Sequence, residues 1–261
     1  MAEGVPATAR VTVHPAPGTT LVAHPDILEP LTQVLQSGTL YAWAAAHPLR
    51  DVRLGRAPTY VVPLSATVTG VVRHAWHGGV LAPLTRDRWR TPGRAPREAA
   101  ISDRLRALGI PTPEVLAWAT YGAGPGLVRV DVCTRLVPQA RDFVDLFTTG
   151  DAERAQLAAR ALGPLMLRLA AARAHHADLN IKNVLLDAHA AAVVLDVDRV
   201  TFTAIPPADV LERNWARLMR SAAKWARVLG DAVPLAALAA VRDDTRATLT
   251  VRQQVPEALA S

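Results

Sequence analysis

The sequence contains a single cysteine, Cys133, and only two lysines, Lys182 and Lys224, among its 261 residues. One cysteine excludes an internal disulfide, and it equally excludes a zinc site built on several cysteines. We therefore expect Cys133 to be a small buried apolar residue. Because lysine is so scarce, the formal charge of +6 comes almost entirely from arginine. A basic surface favours anionic partners such as ATP, nucleic acid or phosphorylated lipids, although charge alone does not choose among them.

Long apolar runs and targeting signals are also missing from the sequence. The best candidate for a membrane span, residues 161–174, is interrupted by Pro164, Arg168 and Arg173. The N-terminus has no basic stretch followed by an apolar segment, so it does not resemble a signal peptide. We therefore expect a cytoplasmic protein that can still lie on a membrane surface.

The first half of the chain is rich in β-branched residues that are separated by turn residues. Between residues 51 and 80, paired valines alternate with glycine and proline, which indicates two or three antiparallel strands. A helix is predicted at about residues 97–108, where apolar residues recur at helical spacing after a proline and before a glycine. The other predicted elements of this half are two strands at residues 114–119 and 127–136 and one short helix at residues 25–35.

The second half is predicted to be mostly helical. Asp151 is a suitable N-cap for a long helix, and a second long helix follows the only Pro-Pro pair, with large apolar residues on one face. Short strands are predicted between these helices, at residues 184–186 and 193–197. Strands followed by helices around a strand pair indicate an α+β fold with two lobes, which we assign to residues 1–137 and 138–261.

Residues 176–183 are His-Ala-Asp-Leu-Asn-Ile-Lys-Asn, which matches the H-x-D-x-x-x-x-N catalytic loop of kinases. Phosphoryl transfer requires a carboxylate near the acceptor hydroxyl, oxygen ligands for Mg²⁺ and positive charge over the phosphates. Asp178 occupies the position of the carboxylate that orients and deprotonates the acceptor. Asn183 follows at the spacing of a metal ligand, and His176 is expected to brace the loop. The chain is therefore predicted to be an ATP-dependent phosphotransferase.

A second pair of carboxylates follows this loop. Residues 193–198, Val-Val-Leu-Asp-Val-Asp, form an apolar strand that ends in acid. At this distance after the catalytic loop, Asp196 matches the metal-binding Asp of the D-F-G element of kinases. Asp198 stands where that element has glycine, so it is either a second metal ligand or, as an ion-pair partner of Arg199, a support for the loop. The sequence thus predicts a Mg²⁺ site made by Asn183 and Asp196.

Kinases usually place a lysine at the end of an apolar strand in the first lobe, but this chain has no lysine before Lys182. Arg73, which ends an apolar run, is the positional substitute, because a guanidinium can bind phosphate oxygens through two hydrogen bonds. Glu98, in the helix that follows, is its expected partner. Gly55 is predicted to belong to a turn that covers the nucleotide. These three residues are the predicted ATP-binding groups.

From about residue 54 to residue 229 the chain resembles the bacterial lipopolysaccharide kinases, and among them the kinases of 3-deoxy-D-manno-octulosonic acid (Kdo). The most specific motifs are His-Ala-Asp-Leu-Asn in the catalytic loop, the following Asp-Val-Asp-Arg, and Asn-Trp-Ala-Arg-Leu-Met-Arg-Ser at residues 214–221. Arginine followed by histidine in place of the strand-end lysine, at Arg73 and His74, also looks like this family.

The resemblance implies a bilobal protein-kinase-like fold, with a small antiparallel β lobe that carries one helix and a larger helical lobe. It also implies transfer of phosphate from ATP to a Kdo hydroxyl of a lipid A precursor, at the cytoplasmic face of the inner membrane. The expected partners are therefore a glycolipid or sugar acceptor and an anionic membrane surface. Nucleic acid is not expected, because the arginines show no interleaved aromatic residues, and the oligomeric state is left open.

Two other functions remain open at this point. A small-molecule kinase of aminoglycoside-phosphotransferase type shares the catalytic loop and the following D-x-D, and a nucleotide-binding pseudokinase scaffold fits the missing lysine. Asn180 stands where protein kinases commonly carry lysine, and only a few residues separate Arg199 from Pro206, too few for an activation segment. Both features favour an acceptor that is not a protein.

Overall fold

Strands dominate the first part of the chain and helices the second, so the predicted α+β class is confirmed. The computed structural model describes residues 9–53, 57–76, 87–91, 93–149 and 151–258, with side chains to residue 251. The chain forms two compact units, residues 1–107 with 113–136 and residues 108–112 with 137–261. Residues 108–112 group with the second unit, where the backbone N–H of Val194 donates to the Pro111 carbonyl at 2.9 Å. The sequence pattern did not separate this short segment from the first unit.

An antiparallel sheet forms the frame of the first unit. Its strands in the described residues are β1 (Val11–Val13), β2 (Thr19–Ala23), β3 (Asp51–Arg53), β4 (Thr59–Pro63), β5 (Thr69–His74), β6 (Val115–Gly122) and β7 (Val128–Arg135). Their spatial order is β1-β2-β6-β7-β5-β4-β3. The sequence pattern does not predict β1 and β2, which extend the sheet because β2 pairs with β6 from Thr19 to Ala23.

Helices cover both faces of this sheet. They are α1 (Pro25–Leu35), α2 (Leu40–Ala46) and α3 (Arg94–Ala107), so the described part of the first unit contains three helices rather than the single one that the resemblance implies. Because successive side chains of a strand point to opposite faces, the sheet has two cores. One core joins α1 and α2 to residues such as Leu21 and Val72, and Cys133 is fully buried in it, as predicted. The other packs Ala95 and Ala99 of α3 against Val132.

Helices also make up most of the second unit. They are α4 (Phe143–Thr148), α5 (Ala152–Ala171), α6 (Pro207–Leu229) and α7 (Leu235–Ala258). The predicted N-cap of α5 is confirmed, because the Asp151 side chain accepts a hydrogen bond from the Arg154 N–H. Helices α5, α6 and α7 pack against one another, and the Trp215 indole of α6 donates to Thr245 of α7 at 2.9 Å. None of the described helices combines the length and apolar character needed to cross a bilayer.

Short strands in the second unit hold the segment between α5 and α6. They are β8 (Arg141–Asp142), β9 (Ala174–His176), β10 (Val184–Leu186), β11 (Ala192–Val194) and β12 (Val200–Phe202). They form two small sheets, of order β11-β10-β8 and β12-β9. The predicted strand at residues 184–186 is therefore confirmed. Strand β9 of one sheet ends at His176, and β10 of the other begins directly after Asn183, so the two sheets hold the two ends of the loop of residues 176–183.

Candidate active site

The loop of residues 176–183 starts at the last residue of β9 and ends in the 3₁₀-helix Ile181–Asn183. Strand β12 pairs with β9 and holds the start of the loop. The side chains of Leu179 and Ile181 are fully buried and anchor its middle. The Ile181 N–H also donates to the Ser221 hydroxyl of α6 at 3.3 Å. Because its apolar residues are anchored in the core, the loop presents its polar residues from a fixed backbone.

The ring of His176 connects the loop that carries Asp178 to the segment that carries Asp196. Its ring is fully buried, Nδ1 accepts the Asp178 N–H at 3.2 Å, and Nε2 lies 3.0 Å from the Leu195 carbonyl. An acceptor at Nδ1 and a donor at Nε2 define the neutral imidazole. Burial lowers the pKa of His176 below its usual value, against the opposing effects of the Leu195 carbonyl and neighbouring carboxylates. These contacts support the bracing role that the sequence predicts.

The titration of His176 is expected to weaken the fold at acidic pH. Since its folded-state pKa is lowered, its contribution is fully present above the usual value of 6.5 and is lost as the pH falls toward the folded-state value. The loss is at most about 1.4 kcal/mol per pH unit. Urea unfolding of the wild type and of His176→Gln measures this loss of stability. The two pH values are 7.5 and 5.5, about one unit above and below the usual pKa of 6.5. The wild type should lose more stability than the variant, and an equal loss would contradict the assignment.

Asp178 presents its carboxylate at the surface of the loop, where the side chain is half exposed. Its Oδ1 accepts a hydrogen bond from Arg217 of α6. Its backbone carbonyl accepts from the Asn180 side chain at 3.2 Å and from Asn183 Nδ2 at 3.0 Å. With the backbone held and Oδ1 engaged, Oδ2 is the oxygen that can take a proton from an acceptor hydroxyl.

Asn183 and Asp196 lie on adjacent segments, because the Leu195 N–H donates to the Asn183 carbonyl at 2.8 Å. The Asn183 amide nitrogen is engaged by the Asp178 carbonyl, so its amide oxygen is the atom that can coordinate a cation. Asp196 is exposed and has a left-handed backbone with φ of 52°, which aspartate tolerates better than most residues. These two oxygens suit Mg²⁺, which commonly takes one or two protein ligands and completes its shell with phosphate and water.

Asp198 is buried, unlike Asp196, and lies in the 3₁₀-helix Val197–Arg199. Its Oδ2 is 4.0 Å from Nε of Arg199, which is the outer limit of an ion pair. A buried carboxylate so close to the loop suits a supporting role better than a place in an open metal site. The choice between the two predicted roles of Asp198 stays a prediction.

Arg73 and Glu98 form an ion pair in the first unit. Arg73 lies in β5 opposite Val132 of β7, and Glu98 lies on the buried face of α3. Glu98 is buried, whereas 28% of the Arg73 side chain remains exposed. A buried acid can therefore orient a guanidinium that still reaches solvent. The contact is present, and its role in ATP binding stays a prediction. Gly55 lies outside the described residues, so its place in a nucleotide-covering turn also stays a prediction.

His74 fixes the end of the strand that carries Arg73. Its Nδ1 contacts the buried Asp131 of β7, and its Nε2 lies 3.3 Å from Asp87. Burial by itself favours the neutral ring, but the hydrogen bond to Asp131 and the charges of both acids outweigh it and raise the pKa of His74. Asp131 also accepts the backbone N–H of Tyr41 at 2.9 Å. Asp131 is not among the residues predicted from the sequence, although an acid within the apolar run of β7 is a usable signal.

Helix α6 contributes three polar residues to which the sequence alone assigns no individual role. Asn214 is fully buried and bridges the His176 N–H and the Ala174 carbonyl, both at 3.0 Å. Ser221 accepts the Ile181 N–H, and Arg217 contacts Asp178. Spacings of three and four residues place Asn214, Arg217 and Ser221 on one face. The signal that reveals them is a polar stripe beside the apolar stripe of a long helix.

Several known proteins are similar to this chain. A model of the lipopolysaccharide kinase (Kdo/WaaP) family matches residues 53–242. A 3-deoxy-D-manno-octulosonic acid kinase of Vibrio cholerae is 29% identical over 149 residues, which cover 56% of this chain and 62% of that protein. The kinase of the same name from Xylella fastidiosa is 30% identical over 189 residues, covering 69% of this chain and 70% of that protein.

Coverage of these relatives is partial. The match to the Actinobacillus succinogenes 3-deoxy-D-manno-octulosonic acid kinase, at 32% identity, spans 50% of that protein. The chain thus spans between half and two thirds of the length of several curated relatives it matches. A solved structure, described as WaaP in complex with acyl carrier protein, superposes with a TM-score of 0.47 at 18% identity, over 88% of this chain and 98% of that one.

Proposed function

This chain belongs to the lipopolysaccharide kinase (Kdo/WaaP) family, and on that basis we propose that it transfers phosphate from ATP to a Kdo hydroxyl of a lipid A precursor. The single observation that carries the chemistry is the setting of Asp178, an accessible carboxylate on a loop whose backbone is hydrogen-bonded at both ends. A general base works best when its position is set before the acceptor binds. The proposed reaction belongs to the assembly of the lipopolysaccharide core.

In the proposed reaction the acceptor hydroxyl oxygen forms a bond to the terminal phosphorus of ATP. The bond between that phosphorus and the bridging oxygen breaks, and ADP leaves with the bonding electrons. The hydroxyl proton passes to Oδ2 of Asp178, whose Oδ1 stays with Arg217. His176 and Asn183 hold the backbone on which Asp178 sits, which limits the motion of the carboxylate.

Asn183 and Asp196 would hold Mg²⁺ through the amide oxygen of the first and the carboxylate of the second. When bound, the ion would neutralise charge on the phosphate oxygens. The supporting observation is the orientation of Asn183, whose amide nitrogen already donates to the Asp178 carbonyl. The exposed carboxylate of Asp196, on the adjacent segment, adds a second oxygen of the kind that Mg²⁺ prefers.

In the first unit, Arg73 would bind ATP phosphate oxygens while Glu98 orients its guanidinium. Arginine suits this task because its planar group can donate two parallel hydrogen bonds to a phosphate. Gly55 would belong to the turn over the nucleotide. The ion pair with buried Glu98 supports this assignment, because it leaves part of the Arg73 side chain in solvent.

Replacing Glu98 with Gln is expected to raise the KM for ATP about tenfold, which corresponds to about 1.4 kcal/mol. The amide keeps the size of the side chain but no longer holds Arg73 by charge, so the cation loses its orientation. Steady-state kinetics with varied ATP measure the effect. Asp103→Asn is the matched control, because Asp103 also lies on α3 and pairs with an arginine, Arg10, at 2.7 Å. An equal rise of KM in both variants would show that only the helix had been disturbed.

We further propose that the protein acts at the cytoplasmic face of the inner membrane, bound to its surface. Exposed basic residues at spacings of three, four and seven form a basic stripe on α6: Arg213, Arg220, Lys224 and Arg227. Arg217 lies within this stripe, so the stripe borders Asp178. Each basic residue near an anionic bilayer contributes about 1 kcal/mol to its attraction. Co-sedimentation with anionic but not zwitterionic vesicles is expected, and equal binding to both would contradict the proposal.

The decisive experiment is transfer of labelled phosphate from ATP to a Kdo-containing lipid A precursor, with the mass and linkage of the product determined. Aminoglycosides and choline-like alcohols serve as comparison acceptors under the same conditions. A phosphorylated Kdo is the expected product. Transfer only to the comparison acceptors would favour the small-molecule kinase. Thermal stabilisation by Mg-ATP without transfer to any acceptor would favour the pseudokinase scaffold.

A further inference from the structure

Arg217 contacts the proposed base, Asp178, directly. The proposed reaction assigns Arg217 no role beyond this contact. Its guanidinium touches Oδ1 of Asp178, and its Nε donates to the Ala177 carbonyl at 3.3 Å. Arginine carries five N–H donors, of which these contacts use two. One third of its side chain is exposed. The group therefore has donors to offer to a ligand that approaches Asp178.

We propose that Arg217 binds the carboxylate of the sugar-acid acceptor and thereby places the acceptor hydroxyl beside Oδ2 of Asp178. This inference rests on the proposed function. A planar guanidinium and a carboxylate match each other through two parallel hydrogen bonds, which set both distance and orientation. A neutral sugar could not make that contact. Arg217 would thus select an acidic sugar as acceptor and align it in the same step.

The charges around Arg217 favour an anion at this place. The basic stripe of α6 continues on both sides of it, with Arg213 one turn before and Arg220 nearly one turn after. Asp178 is the acid that Arg217 contacts, and only one carboxylate oxygen takes part. The guanidinium can therefore hold Oδ1 of Asp178 and an incoming carboxylate together. The acceptor would arrive beside the base rather than displace it.

If Arg217 only supported the loop, its loss would affect every acceptor alike, which differs from what acceptor binding predicts. Ion pairs with half-exposed partners contribute little to folding stability, and Asn214 and Ser221 already attach the loop to α6. If Arg217 instead binds the acceptor, its loss should leave the fold and the ATP site intact. Its effect should appear only with acceptors that carry a carboxylate. That selectivity separates acceptor binding from general support of the loop.

The test compares free Kdo with its methyl ester, which lacks the negative charge. Binding of each is measured by calorimetry in the full-length protein, and phosphate transfer to each is measured by initial rates. The wild type should prefer the acid by about 10- to 100-fold in Kd and KM. Arg217→Gln should abolish that preference while leaving the KM for ATP unchanged. Arg217→Lys, which keeps the charge but not the planar fork, should retain part of it.

Arg160→Gln is the matched control, because Arg160 is an exposed arginine of α5 in the same unit, and it should behave as the wild type. A wild type that binds acid and ester equally, or binds neither, overturns the inference. A preference for the acid that survives in Arg217→Gln also overturns it, even if phosphate is transferred. A preference that depends on Arg217 without any transfer to Kdo supports the inference and refutes the proposed function. Thermal unfolding of each variant shows that the comparison is between folded proteins.

Discussion

Replacing Asp178 with asparagine is expected to lower kcat for phosphate transfer by about 10²- to 10⁴-fold, the usual contribution of a positioned general base. The amide has the shape of the carboxylate and can still accept the hydrogen bond from Arg217, but it cannot take up the acceptor proton. The KM for ATP should change little, because the predicted phosphate-binding groups are elsewhere in the chain. Initial rates with a Kdo-containing lipid A precursor measure both constants.

Folding of the Asp178→Asn variant should be close to that of the wild type. The side chain is half exposed, and an ion pair of this kind contributes about 0–1 kcal/mol. Asp231→Asn is the matched control, because Asp231 is an exposed acid in the 3₁₀-helix Gly230–Ala232 of the same unit. Wild-type transfer by Asp178→Asn would remove Asp178 from the chemistry. Equal losses in both variants would point to a general effect of removing negative charge.

Replacing Asn214 with alanine is expected to lower the free energy of unfolding by about 2–4 kcal/mol. The Asn214 side chain is fully buried and supplies both an acceptor for the His176 N–H and a donor for the Ala174 carbonyl. Alanine would leave two backbone groups of β9 buried without partners, which costs more than the loss of a surface hydrogen bond. Urea unfolding at neutral pH measures the change.

Ser221→Ala provides the graded control for that experiment. Ser221 lies on the same face of α6, but it accepts a single hydrogen bond, from Ile181 at 3.3 Å. Its loss is expected to cost about 1 kcal/mol. The transfer rate should also fall further in Asn214→Ala, because β9 leads directly into the loop that carries Asp178. Stability of Asn214→Ala within about 0.5 kcal/mol of the wild type would show that another group had replaced the amide.

The residues proposed for the chemistry of the loop could be identified from the sequence because they are close together in it. Asp178 and Asn183 are five positions apart, and Asp196 follows a short hairpin, so their proximity depends on local geometry. The same holds for the N-cap at Asp151 and the strand at residues 184–186, which need only neighbouring residues to form. Alternation, capping and spacing are local properties, and they are therefore visible in a single sequence.

The residues that hold the site were harder to predict because they come from distant parts of the chain. Asn214 lies 38 positions from His176, and Arg217 lies 39 positions from Asp178. In the first unit, Asp131 lies 57 positions from His74. A polar residue on a helix or strand is most often at the surface, so its pattern alone does not indicate a buried partner. The strands β1 and β2 were missed for a similar reason, because they become strands by pairing with β6.

The sequence by itself determined the α+β class, and it predicted the proposed reaction class and the acids and amide of the loop at residues 176–183, because each depends on residue type at short spacing. Only the tertiary structure decided which side chains hold that loop, since this depends on how α6 packs against β9. It also decided that Arg217 lies against Asp178, whereas the contact of Arg73 with Glu98 was expected from the sequence. Hydrogen bonds between distant segments form only after apolar packing has brought those segments together, so they leave no periodic trace in the sequence.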